Sequence, residues 1–191
     1  MPSFETERML LRAPEHSDAA AIARGLGEFA VARNMATVAH PFTEADAEAL
    51  IAAAGEQQAK GEAYSFAVAH KQTGELLGMV TLTLSAGFYT LSFWFARPYW
   101  GFGYATEAAR KIAAFAFNTL KAETIRASWF EGNGASERIL ENLGFVAVED
   151  YRRENRAEGR PMWCHCMVLR RAGFGRKRPG ARRPQPELVE A

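Results

Sequence analysis

One stretch of the chain, residues 94–109, constrains the fold more than any other part of the sequence. It begins as an apolar strand end, passes through a turn of Pro, aromatic residues and Gly, and continues as an alanine-rich helix. Gly101 and Gly103 allow positive φ angles and close approach of the backbone to a ligand. The free N–H groups and the positive dipole end of the helix point back at this turn. Residues 101–106, called the cradle below, are therefore predicted to bind a phosphate or pyrophosphate.

The length and composition of the chain fit one ordinary globular domain. Of its 191 residues, 48% are hydrophobic and 24% are charged, which is typical of a domain with a normal core. We interpret residues 1–171 as this domain. Residues 172–191 form a basic tail rich in Gly, Pro and Arg, with five Lys and Arg side chains against two Glu. Such a composition predicts disorder.

The overall charge of the chain does not indicate a charged partner such as a nucleic acid. The net charge is +1, so the nearly neutral body gives no reason to expect nucleic-acid binding. A nucleic-acid or ribosome contact through the basic tail is an alternative to a simply solvated tail. No apolar run approaches the ~20 residues that span a bilayer, and no signal pattern is present. We expect no membrane partner and a cytoplasmic protein.

The two cysteines do not indicate a metal site. Cys164 and Cys166 are two residues apart, so on a strand both side chains face the same side. A structural zinc requires four ligands, and His165 would face the opposite side of the strand. We therefore expect a plain buried strand and no metal.

Hydrophobic periodicity predicts one mixed α/β domain in the order β-αα-α-βββ-α-β-α-ββ. Antiparallel strands come first, and strand–helix–strand crossovers then create a parallel pair. The central mixed sheet has about seven strands flanked by helices. Helices are predicted at 19–26, 28–33, 43–60, 103–120 and 136–143, and strands at 5–12, 64–70, 76–84, 89–96, 124–130, 145–151 and 162–169.

The glycines of the cradle do not by themselves identify the ligand. A dinucleotide fingerprint requires an early strand–helix–strand unit, whereas this turn follows several strands and helices. A Walker loop is excluded because no Gly-Lys-Thr or Gly-Lys-Ser follows. The flanking segments must therefore decide which phosphate-bearing ligand binds.

Several motifs, in the right order and spacing, resemble the GNAT N-acetyltransferases. They are the aromatic strand with residues 98–108, the segment Asn133-Gly134-Ala135-Ser136, and residues 139–145. The segment His40-Pro41-Phe42-Thr43 is similar to the branch that contains the N-terminal acetyltransferases of ribosomal proteins. The resemblance covers about residues 5–170 and is far more specific for fold and cofactor than for substrate.

The resemblance implies acetyl-CoA as the co-substrate. The pyrophosphate would meet the backbone of the cradle, and the pantetheine arm would pair with the end of the aromatic strand like an added strand. The thioester would lie where this strand separates from strand 124–130, beside an N–H that stabilises the oxyanion. The cofactor-binding residues so implied are Phe95, Ala96, Gly101, Phe102, Gly103, Tyr104, Ala105, Thr106 and Asn133.

Two positions depart from the wider superfamily. Trp100 stands where Arg or Gln is usual, which places more weight on the backbone of the cradle. Leu140 stands where the common acid, a tyrosine, would be. Ser136 is the catalytic candidate, because a serine at this place in related enzymes is proposed to donate to the leaving sulfur. It could equally be the cap of the short helix. Other candidate acids are Tyr89, Tyr99, Tyr104 and Tyr151.

No general base stands out from the sequence. His40, His70 and Glu28 are candidates, whereas Glu107 is interpreted as a structural partner within the cradle helix. An α-amine has a pKa of ~7.7–8.0 against ~10.4 for lysine, so an α-amine acceptor needs little help at neutral pH. Water could relay its proton.

The predicted function is transfer of an acetyl group from acetyl-CoA to a primary amine, by direct attack on the thioester. The amine could belong to a protein N-terminus or to a small molecule, and its identity stays open. The alternative is a non-catalytic acyl-CoA-binding regulatory module, which would bind CoA without turnover. Dimerisation is common in the resembling family, so a homodimer is also open.

Overall fold

A single sheet of eight strands forms the centre of the protein. The fold comes from a computed structural model, which describes residues 1–174. The strands are β1 (Phe4–Glu5), β2 (Met9–Arg12), β3 (Ala63–His70), β4 (Leu76–Ser85), β5 (Phe88–Phe95), β6 (Thr124–Phe130), β7 (Val146–Asn155) and β8 (Arg160–Arg170). Their order across the sheet is β1-β2-β3-β4-β5-β6-β8-β7.

The predicted mixed α/β fold is confirmed, with eight strands instead of about seven. The first predicted strand, residues 5–12, turns back on itself, because the Thr6 N–H donates to the Met9 carbonyl at 2.9 Å. It therefore becomes the two antiparallel strands β1 and β2, with Phe4 opposite Leu11.

Parallel pairing within residues 1–174 is confined to β5 and β6. The pairs are Tyr89 opposite Ile125 and Thr90 opposite Arg126. Beyond them β5 continues to Phe95 and β6 to Phe130, so the two strands separate towards their carboxyl ends. In an open sheet, a ligand site is expected at such a point.

Helices cover both faces of the sheet. They are α1 (Ala19–Gly27), α2 (Phe29–Ala32), α3 (Glu44–Ala59), α4 (Tyr104–Asn118) and α5 (Gly134–Leu143). The alanines of α4 pack in the main core with Val80 of β4 and Phe95 of β5. Met79 and Trp94 point to the opposite face, where they pack with α1 and α3. Small side chains on α4 let this helix lie close to the sheet.

Gly25 lies inside α1 despite its low helix propensity. A Cβ at Gly25 would lie 2.5 Å from Cζ3 of Trp94. Close packing of the helix on β5 therefore overrides the propensity of the residue. At the start of α3, Thr43 and Asp46 form a reciprocal capping box.

The last two strands extend further than predicted. The expected turn, residues 152–160, is strand up to Asn155, so the hairpin joining β7 to β8 is tight. After β8, residues Arg171–Gly173 form a 3-10 turn and the Phe174 ring lies 5.3 Å from that of Phe117. The first residues of the predicted tail therefore contact the sheet-and-helix core through Phe174. The remainder of the predicted tail, residues 175–191, lies outside the described residues.

None of the helices formed by residues 1–174 combines the length and apolarity that a membrane-spanning segment requires. The thiols of Cys164 and Cys166 are free and buried on β8. Within the same part of the chain, no group of three or more His, Cys, Asp or Glu side chains comes together to hold a metal ion.

Candidate active site

A cleft of about 690 Å³ opens where β5 and β6 separate. Its walls come from the end of β5, the N-terminus of α4, the N-terminus of α5, and α2 with the residues after it. Eight of the ten site residues predicted from the sequence line it: Phe95, Gly101, Gly103, Tyr104, Ala105, Thr106, Asn133 and Ser136. Segments far apart in the sequence therefore meet at one place.

The cradle is built by the backbone at the start of α4. Gly103 is the N-cap, with φ 81° and ψ 0°, and no side chain caps the helix. The first intrahelical bond of this turn is donated by Glu107 N–H to the Gly103 carbonyl at 3.1 Å. The N–H groups of residues 104–106 therefore have no partner within the helix. Together with the helix dipole, they provide a site for an anion.

Phe102 and Ala96, the other two predicted site residues, do not line the cleft. The side chain of Phe102 is 63% exposed, and its carbonyl accepts from Nη1 of Arg8 at 2.9 Å. The Ala96 N–H donates to the Leu77 carbonyl at 2.9 Å, so it faces β4. Because bonding direction alternates along an antiparallel pair, the N–H and carbonyl of Phe95 face the gap instead.

Trp100 takes part in the site through its indole. Its Nε1 donates to the Phe95 carbonyl at 2.7 Å, while 44% of the residue remains exposed. Trp100 thus folds over the end of β5 and occupies an acceptor that faces the gap. A pantetheine arm that uses this carbonyl must displace the indole N–H.

The N-terminus of α5 presents a free hydroxyl to the cleft. Asn133 is the N-cap, since its side-chain oxygen accepts from the Ser136 N–H at 3.2 Å. The cap of this helix is therefore Asn133 and not Ser136. The Ser136 hydroxyl has no hydrogen-bond partner among residues 1–174, so it remains available to a ligand.

The tyrosines differ in their access to the cleft. Tyr99 and Tyr104 line it, whereas Tyr89 and Tyr151 do not. Burial and the nearby Glu75 carboxylate raise the pKa of Tyr99 to about 12. Leu140 is buried and offers no polar group in place of the superfamily's tyrosine.

Glu131 is a residue that sequence reasoning missed. It follows β6 directly and is the one carboxylate that lines the cleft within residues 1–174. Its position at a strand end, two residues before Asn133, is the signal that could have identified it. None of the base candidates His40, His70 and Glu28 lines the cleft.

Two guanidinium groups also line the cleft. Arg33 pairs with Glu158 at 2.9 Å, and Arg138 extends from α5 towards Gly134. Phe29, whose ring centre lies 5.9 Å from the Arg33 guanidinium, is 42% exposed. Its ring packs against His40 with centroids 5.3 Å apart. The end of the cleft near α2 is therefore a mixture of apolar surface and a few charges.

The fold and this site define an acyl-transfer protein of a known class. The chain belongs to the GNAT acetyltransferases, since residues 8–146 match the family model described as the acetyltransferase (GNAT) domain. It is similar to the uncharacterized N-acetyltransferase p20 of Bacillus licheniformis, with 27% identity over 164 residues, 84% of this chain and 91% of the relative.

Solved structures share the whole fold at low sequence identity. The ribosomal-protein-S5-alanine acetyltransferase from Vibrio fischeri has a TM-score of 0.78 and 20% identity, covering 91% of this chain and 99% of its own. The spermidine N-acetyltransferase from Vibrio cholerae, solved in complex with CoA and spermine, has a TM-score of 0.74 and 19% identity, covering 88% and 98%. Structural neighbours thus include the ribosomal-protein acetyltransferases that the motifs resemble.

Proposed function

We propose that the protein transfers the acetyl group of acetyl-CoA to an acceptor that carries one primary amine. The proposed acceptor group is the α-amine of a protein or peptide. The observation that carries the proposal is the uncapped N-terminus of α4 beside the gap between β5 and β6. This arrangement offers N–H groups for a diphosphate. It also offers the pantetheine arm a strand end at Phe95, whose carbonyl becomes available when the Trp100 indole is displaced. Together the two features suit a long, phosphate-bearing thioester.

The residues of the cleft can complete the reaction without a metal. The amine nitrogen attacks the thioester carbonyl carbon, the new C–N bond forms, and the C–S bond breaks. The Ser136 hydroxyl donates a proton to the leaving sulfur and regains one, through water, from the nitrogen that became positively charged in the attack. The products are the amide and free CoA. Glu131 attracts the ammonium form of the acceptor, which loses its proton to solvent water before the attack.

The charges in the cleft favour an acceptor with one amine. A polyamine carries several ammonium groups and would need several carboxylates, but Glu131 is the single carboxylate among the lining residues described. The guanidinium group of Arg138 would repel additional positive charge. A protein α-amine, with a pKa of ~7.7–8.0, is also the amine most readily deprotonated at neutral pH.

An acceptor panel tests this proposal. Purified protein is incubated with acetyl-CoA and one of three acceptors, and the released thiol is measured. The acceptors are peptides with a free N-terminus, the same peptides with a blocked N-terminus and an unmodified lysine side chain, and spermidine. We expect turnover with free N-termini above that with spermidine. Thiol release with none of these amines, combined with tight CoA binding, would support the non-catalytic acyl-CoA-binding alternative instead.

Replacement of Ser136 by alanine should lower kcat by about a hundredfold, because the leaving thiolate loses its proton donor. The KM for acetyl-CoA should change little, and the melting temperature should hold, since Asn133 caps α5. Steady-state kinetics at saturating acceptor measure both parameters. An unchanged kcat would assign Ser136 a purely structural position in the first turn of α5.

A further inference from the structure

Arg8 lies at the turn between β1 and β2 and does not line the cleft, yet it contacts the cradle. Its Nη1 donates to the Phe102 carbonyl at 2.9 Å. Its Nε donates to Oε2 of Glu107 at 2.8 Å, and its Nη2 lies 2.7 Å from the same oxygen. The guanidinium also lies 4.3 Å from the centre of the Tyr104 ring. One side chain thus joins residues on both sides of Gly103.

The bond to Phe102 fixes the direction of a carbonyl within the cradle. A carbonyl oxygen directed at a bound phosphate would repel it, whereas N–H groups attract it. Because Arg8 is outside the cleft, the oxygen that it holds is directed away from the cleft. The face of the cradle that lines the cleft is therefore left to N–H groups.

The bond to Glu107 compensates a charge that would otherwise oppose ligand binding. A carboxylate in the first turn stabilises a helix, but it also repels an anion at the same terminus. Burial acts to raise the pKa of Glu107, while the Thr6 hydroxyl and Arg8 act to lower it, and the net pKa lies below its usual value. Glu107 is therefore ionised at neutral pH, next to the anion site.

We propose that Arg8 is a positioning residue for the diphosphate of acyl-CoA, acting through Phe102 and Glu107 without touching the ligand. It turns one carbonyl away from the cradle and neutralises the carboxylate at the start of α4. This inference rests on the proposed function, and it adds a residue that lies 99 positions from Glu107 in the sequence.

Four variants test the inference: Arg8→Ala, Arg8→Lys, Glu107→Gln and the double variant Arg8→Ala/Glu107→Gln. We expect Arg8→Ala to raise the Kd for CoA about tenfold, because Glu107 is left unpaired beside the diphosphate. The kcat at saturating acetyl-CoA should be unchanged. The double variant should return to within about threefold of wild type, since no charge remains to be compensated and only the bond to the Phe102 carbonyl is still missing. Arg8→Lys should retain most of the affinity.

Isothermal titration with CoA measures these affinities, and thermal unfolding reports whether each variant is folded. Glu107→Gln alone should bind CoA more tightly than wild type, which keeps the inference falsifiable even if Arg8→Ala does not fold. Lys71→Ala is the matched control. Lys71 donates to the Thr6 carbonyl at 3.1 Å and pairs with Glu5 at 2.8 Å, so it supports the same turn without reaching the cradle. Its removal should leave the Kd for CoA unchanged.

Two results would overturn the inference while leaving the proposed function intact. One is a double variant that binds CoA as poorly as Arg8→Ala, which would make Arg8 a direct contact or a simple fold element. The other is an Arg8→Ala variant with wild-type affinity. A wild-type protein that does not bind CoA would instead overturn the proposed function itself, and this inference with it.

Discussion

Replacing Gly103 with valine should raise the Kd for CoA by at least about tenfold. Gly103 has φ 81° at the N-cap of α4, a conformation that costs an L-residue roughly 1–2 kcal/mol and a β-branched residue more. A new Cβ would lie 3.5 Å from Nη2 of Arg8, which is an ordinary van der Waals contact, so the strain lies in the backbone. The chain can relieve this strain only by rotating the backbone, which redirects the N–H groups of residues 104–106 away from the cleft.

Gly74→Val is the matched control for this substitution. Gly74 has φ 72° in the turn between β3 and β4, and a Cβ there would meet nothing within 4 Å. Both variants should lose similar stability in thermal unfolding, because both force valine into the left-handed region. Titration with CoA should separate them, with a weaker complex for Gly103→Val and an unchanged one for Gly74→Val. Equal affinities would show that the cradle does not bind the diphosphate.

The general architecture could be predicted because its signals are local. The alternation of apolar residues marks the strands, and the alanine spacing marks α4. The Thr43 cap and Asp46 mark the start of α3. The cradle is also a local feature, since its glycines and the following helix are contiguous. Each of these sequence patterns lies within the turn, strand or helix that it predicts, so no knowledge of tertiary contacts is required to recognise it.

The parts that could not be predicted depend on contacts between distant segments. Arg8 is 94 positions before Phe102 in the sequence, and nothing near Arg8 in the sequence indicates their contact. Gly25 remains helical because Trp94 packs against it, and the helix propensity of glycine gives no information about that contact. Ala96 faces β4 because of the pairing register, which the sequence of β5 alone does not specify. Long-range packing and register decide these positions.

The candidate site likewise has one part formed by contiguous residues and one part formed by distant segments. Its proposed donor end consists mostly of the contiguous residues 101–106, so it could be predicted from the sequence alone. Its acceptor end combines α2, the end of β6 and α5, which meet only in the folded chain. Glu131 escaped notice because a single Glu after a strand has no distinctive spacing. Substrate specificity is therefore harder to predict from such a chain than its donor.

Replacing Gly78 with alanine should destabilise the protein by about 3 kcal/mol, the upper range for overpacking in a core. A Cβ at Gly78 would lie 2.1 Å from the Trp94 carbonyl oxygen and 2.8 Å from the Phe95 Cα. Both are backbone atoms of β5, so no side-chain rotation relieves the contact. The strands β4 and β5 must move apart, which strains the hydrogen bond from Ala96 to Leu77.

Chemical denaturation measures this loss, and Gly55→Ala supplies the control. Gly55 lies inside α3, and a Cβ at this position would meet nothing within 4 Å, so alanine there should stabilise the protein by about 1 kcal/mol through helix propensity. The same chemical change thus has opposite expected signs at the two positions. Equal effects would refute the close approach of β4 to β5. Because Phe95 faces the gap, any Gly78→Ala protein that still folds should also bind CoA more weakly, whereas Gly55→Ala should not.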